Sequence, residues 1–87
     1  MRFIVHFEFD PKDTDKVLDD WAKARNGPKH VFPGQYTGNG TGFFIVETDD
    51  CEQWTNGWLA GFPYVEYTPI ACCDLEIWTK KARERKK

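Results

Sequence analysis

Residues 2 to 9 read RFIVHFEF, and their alternation puts Phe3, Val5, Phe7 and Phe9 on one wholly apolar face and Arg2, Ile4, His6 and Glu8 on the other. A period of two is the signature of a strand with one buried side. Asp10-Pro11 breaks it, and KDTDKVLDDWAKAR then repeats apolar residues at helical spacing through Val17, Leu18, Trp21 and Ala24. The spacing predicts an amphipathic helix with Asp13 or Thr14 accepting its first free N–H groups, stopped by Asn26-Gly27-Pro28. From Gln35, QYTGNGTGFFIVET predicts two strands joined at Asn39-Gly40, the dipeptide suited to a two-residue hairpin turn. TDDCEQWTNGWLAG predicts a second helix capped by Thr48 or Asp49, with Cys51, Trp54, Trp58 and Leu59 on one side. Gly57 inside it admits a close approach by a neighbouring segment, and Gly61 and Pro63 end it. YVEYTPIA alternates again as a fourth strand, which Pro69 confines to an edge or terminates. A short C-terminal helix from Asp74 carries Leu75, Trp78 and Ala82.

The order β-α-β-β-α-β predicts an α+β fold of ferredoxin-like type, a four-stranded antiparallel sheet with both helices on one face. Each strand then has a core face and an open face. The core face takes the odd residues of strand 1 with Phe44, Val46, Val65 and Tyr67; the open face takes Arg2, Ile4, His6, Glu8, Phe43, Ile45, Glu47, Tyr64, Glu66 and Thr68. Ile4, Phe43 and Ile45 make that face too apolar to stand bare, and the charges around them make it too polar for a monomer's core. A second copy, a ligand or a nucleic acid strand would cover it. The expected dimer contacts are Ile4, His6, Phe43, Ile45, Glu47 and Tyr64.

An 87-residue chain has room for one core, placed at residues 1–79, with residues 80–87 as a basic tail. That tail, KKARERKK, holds six bases and one acid, so the net charge of −2 leaves the preceding body distinctly acidic. Nothing here attracts nucleic acid or an anionic membrane in general. No apolar run approaches the ~18 residues of a membrane span, and the first residues lack a signal peptide's pattern, so the expected location is the cytoplasm. Cys51, Cys72 and Cys73 are odd in number and imply no disulfide framework.

MRFIVHFEF, the hairpin GNGTGFFIVETDD running into a tryptophan-bearing helix, and VEYTPI together resemble a family of short bacterial and archaeal proteins of unknown function, over about residues 1 to 71. Such proteins are similar to the dimeric α/β-barrel superfamily, in which two ferredoxin-like sheets pack open face to open face. That resemblance implies a homodimer and a place among small cofactor-independent monooxygenases, isomerases and ligand-binding regulators; it assigns no catalytic residue.

Among the residues themselves, His6 is the candidate proton carrier. With Glu8, Glu47 or Glu66 it forms a histidine–carboxylate set that would move a proton, hold a divalent metal through His6, Glu47 and Glu66, or serve as the polar rim of a dimer interface. No fixed metal-ligand spacing is present, and neither a metal nor a cofactor is expected. Serine is absent from the chain, which removes serine-hydrolase chemistry. Trp21, Trp54 and Trp58, with Tyr36 and Tyr67 to orient a polar group, are the candidate lining of a pocket between helices and sheet for a small, aromatic molecule; the same aromatics serve equally as core. His30 is expected in an exposed, proline-flanked loop. TGFFIVET echoes an RNA-recognition strand, but Thr41 stands in place of a base and Glu8, Glu47 and Glu66 would repel phosphate, so no nucleic-acid partner is expected. The remaining reading is a structural or protein-interaction module.

Overall fold

The computed structural model describes residues 1–85, as an open four-stranded antiparallel sheet with three α-helices. Strand β1 (Arg2–Glu8) leads through a 3₁₀ turn (Pro11–Asp13) into α1 (Thr14–Lys23); β2 (Lys29–Gly38) and β3 (Thr41–Glu47) form a hairpin; α2 (Cys51–Leu59), β4 (Glu66–Cys72) and α3 (Leu75–Arg85) follow. The sheet order is β2-β3-β1-β4, so the apolar opening strand lies inside and β2 and β4 are the edges. The order of elements is compatible with a split βαβ arrangement. Pro69 lies opposite Val5 on β4, an edge strand, the kind of strand to which proline is confined within sheets.

Local chemistry explains most element ends. Asn39 (φ 53°) and Gly40 (φ 77°) both take left-handed angles at the hairpin turn, as the Asn-Gly pair predicts. The Phe9 N–H donates to the Gly40 carbonyl (2.8 Å), tying the hairpin tip to the end of β1. The helix caps differ from expectation. Asp10, not Asp13, accepts from a backbone N–H (Lys12, 3.1 Å), because the 3₁₀ turn takes the first position; Thr14 instead donates to the Pro11 carbonyl (2.5 Å). At α2 the cap is Asp50, accepting from the Glu52 N–H (2.9 Å), while Thr48 accepts from the Asp50 N–H (3.0 Å) and Asp49 pairs with the N-terminal amine.

The core lies between the sheet and the pair α1 and α2. Phe7, Phe9, Val17 and Val65 are buried together, with Trp21, Phe44, Tyr64 and Tyr67 packed on them. Trp54 of α2 meets Phe3 of β1 with ring centroids 4.6 Å apart. Val17 is the one side chain fully out of solvent among the described residues, whereas Leu18, Cys51 and Leu59 point outward despite their helical spacing.

Two further expectations are corrected, and α3 runs across the position of a third. β2 begins at Lys29, not Gln35, with register shifts around Phe32 and Gln35 that accommodate Pro33-Gly34; His30 is therefore a strand residue, though exposed. Tyr64 precedes β4 and packs on the helix-side core beneath the Lys16 ammonium (5.1 Å from the ring centre), so it does not lie on the open face. The boundary expected at residue 79 falls inside α3, and the basic tail through Arg85 is helix; residues 86 and 87 of that tail lie outside the described residues.

α3 changes the shape of the molecule. A chain of this length typically has a radius of gyration of about 12 Å, yet the observed value is 15.5 Å, with extents of 54 × 28 × 19 Å. Leu75 (74% exposed) and Trp78 (62%) find no place in the core. Among the described residues no helix is long and apolar enough to cross a membrane.

Candidate functional site

A cavity of about 430 Å³ lies between the sheet and the helices α1 and α2. Trp21 enters from α1, Trp54 and Trp58 from consecutive turns of α2, and Tyr67 from β4. Four of the five predicted ligand-binding residues thus converge. Tyr36 does not; it is exposed, and its hydroxyl accepts from the Gly40 N–H (2.8 Å), where it braces the hairpin.

Neighbouring rings fix the wall geometry. Trp21 stands edge-on to Phe44 (5.5 Å), His30 stands edge-on to the same ring (5.2 Å), and Trp58 meets Tyr67 at 5.8 Å. The Tyr67 hydroxyl accepts from Trp21 Nε1–H (2.9 Å) and donates to the Ala60 carbonyl, so one oxygen joins α1, β4 and the end of α2. Burial pushes the Tyr67 phenol above its ordinary value; the bond from Trp21 opposes this and the negative charge of Asp20 adds to it.

The loop between α1 and β2 forms the rim. A Cβ on Gly57 would come within 2.7 Å of Pro28 Cδ, so only glycine lets α2 sit this close to the loop; this is the close approach that the glycine signals. Asn56 Nδ2 donates to the Asn26 carbonyl (3.1 Å) and strengthens that contact. Arg25, Asn56 and His30 border the cavity and were not singled out as lining residues in the sequence. Proline at 28 and 33 disguised the strand that carries His30. Arg25 and Asn56 gave no periodic signal at all.

The open face carries the other candidates. Strand register sets Phe32, Ile45, Ile4 and Ile70 in one row across all four strands, with Gln35, Phe43, His6 and Thr68 in the next. Ile4, His6, Phe43, Ile45 and Glu47 do share this face; Phe32 and Ile70 join them unforeseen. His6 and Phe43 rings lie 6.3 Å apart. Glu47 sits opposite Arg2 and pairs with it (3.5 Å), four residues along the strand from His6, a separation of roughly 13 Å at strand rise. The histidine–carboxylate pairing with Glu47 is therefore not formed. Glu8 and Glu66 oppose each other one pair away on the other side. Among the described residues no three histidine, cysteine or acidic side chains gather as a metal site. All three cysteines are free and exposed.

No family model matches this chain, and neither the curated proteins nor the solved structures hold a similar protein.

Proposed function

We propose that the chain is a cytoplasmic, ferredoxin-like domain that binds a small aromatic molecule in the cavity between its two sheet-packed helices and the sheet. The observation that carries this reading is the convergence of Trp21, Trp54, Trp58 and Tyr67, from three separate elements, on one space of about 430 Å³. Ligand pockets commonly occupy about 300–1,000 Å³, with apolar walls and a few placed polar groups; here Tyr67, His30 and Asn56 are those groups. The sheet order supports the ferredoxin-like assignment. Three free, exposed cysteines fit a reducing compartment. Oxygenation or isomerisation with His6 as proton carrier fits less well, because His6 lies on the opposite face of the sheet. A titration with toluene or indole, followed through the tryptophan indole N–H resonances, tests the pocket: saturable shifts at Trp21, Trp54 and Trp58 are expected. Shifts confined to Trp78, or none at millimolar ligand, would refute it.

A second reading concerns the other face. The row Phe32, Ile45, Ile4 and Ile70 supports a homodimer, since a twofold partner offers the same apolar surface in return. It also supports the kinship to dimeric α/β-barrels implied by the sequence. Light scattering at twice the 10.2 kDa chain mass is the expected result; a monomer at tens of micromolar would refute it.

A further inference from the structure

Arg25 gives the cavity a sign of charge. The chain as a whole carries more acids than bases, 14 against 12, yet among the described residues no carboxylate borders the cavity and its one formally charged wall residue is Arg25. The guanidinium is held in place: Nη1 donates to the carbonyls of Ala22 (3.0 Å) and Ala24 (2.8 Å) at the end of α1. These two bonds use the donors of one nitrogen, and a guanidinium has five N–H groups in a planar fork. Among the described residues Arg25 enters no ion pair, so the remaining donors have no acidic partner. His30 and the Asn56 amide stand at the same cavity and add hydrogen-bonding capacity.

We propose that the ligand is an aromatic carboxylate, bound with its ring among Trp21, Trp54 and Trp58 and its carboxylate turned to Arg25. The proposal rests on the pocket assigned above and adds the class of molecule the pocket takes. A pinned guanidinium prefers a carboxylate over a neutral amide of the same shape because the fork meets two oxygens at once and the charges attract. Arg25 is exposed, so solvent screens part of the effect, and the expected preference is about five- to twentyfold rather than the larger ratio of a dry site.

The test uses phenylacetate and phenylacetamide, which differ little except in charge, titrated into the full chain carrying Trp78→Phe. That substitution removes the tryptophan of α3, which does not border the cavity, so fluorescence and indole N–H shifts report on Trp21, Trp54 and Trp58 alone. Phenylacetate should bind about five- to twentyfold more tightly, and 0.5 M salt should weaken it without affecting the amide. Arg25→Gln should bring the two within about twofold of each other, chiefly by weakening the acid, and Arg25→Lys should keep a reduced preference. Equal binding of acid and amide, or a preference that survives Arg25→Gln, overturns the charge assignment and leaves the aromatic pocket standing. If neither compound moves the three indole signals, and toluene and indole also fail, the pocket itself is refuted and this proposal with it.

Discussion

Replacing Tyr67 by Phe removes a single oxygen from the point where α1, β4 and the end of α2 meet. The ring is retained, and with it the packing against Trp58, so the change isolates the hydroxyl. Two partners lose their bonds: Trp21 Nε1–H, which donates to that oxygen at 2.9 Å, and the Ala60 carbonyl, which accepts from it. A net intramolecular hydrogen bond contributes about 0.5–1.5 kcal/mol, and a buried partner left without one costs about 1–3 kcal/mol. The site is partly buried and adjoins a cavity, so water reaches at least one of the two orphans, and the expected loss is about 2 kcal/mol. Against a total of roughly 4–13 kcal/mol for a chain of this length, that is a large share, and it corresponds to a fall in Tm of about 8–16 °C. Urea denaturation followed by far-ultraviolet circular dichroism measures it. The pH dependence supplies a second reading. Burial raises the Tyr67 pKa in the folded state above the ordinary 10.0, so the hydroxyl's contribution is fully present below pH 10.0. It is lost as pH rises through the folded value, because the unfolded chain releases this proton first. The gap between wild type and Tyr67→Phe should therefore narrow at alkaline pH. A loss below about 0.5 kcal/mol at neutral pH, or a gap that is constant through the alkaline range, would show that the hydroxyl does not hold the three elements together.

Gly57→Val should destabilise the fold by about 1–3 kcal/mol in the same assay, because its side chain meets Pro28, a ring fixed to the backbone that must move away with the rim of the cavity. If the open face pairs two copies, as proposed, Ile45→Asp should reduce the mass seen in light scattering at tens of micromolar to that of one chain, since it places a charge in the middle of the apolar row; an unchanged twofold mass would mean the row is not the interface. Deleting residues 80–87 should shift the urea midpoint by no more than about 0.5 kcal/mol, because the second half of α3 buries no core side chain; loss of cooperative unfolding would show that it is structural.

The sequence by itself determined the elements whose signal is local. Period-two alternation in residues 2–9 required a strand with Val5, Phe7 and Phe9 inward, Asn39-Gly40 required left-handed angles that a hairpin turn uses, and Trp54 and Trp58, four apart, required a shared helix face. It also divided β1 and β3 correctly into two faces, because one misplaced residue would turn every side chain over. Where a strand was punctuated by Pro33-Gly34, the local signal argued for a loop, and only pairing with β3 across the hairpin restored β2 and moved His30 to the cavity side. Tyr64 alternates in phase with Glu66, yet the chain has not entered β4 there, and burial against Val17 and its neighbours decided its side. Register between distant strands assembled Phe32 and Ile70 with Ile4 and Ile45, a row that no window of consecutive residues contains. Arg25 borders the cavity where Gly57 lets α2 settle on Pro28, three residues beyond Arg25. Periodicity is a property of neighbours along the chain, and so it is written in the sequence; which side chains share a cavity depends on contacts between residues tens of positions apart, and those exist only once the chain has folded.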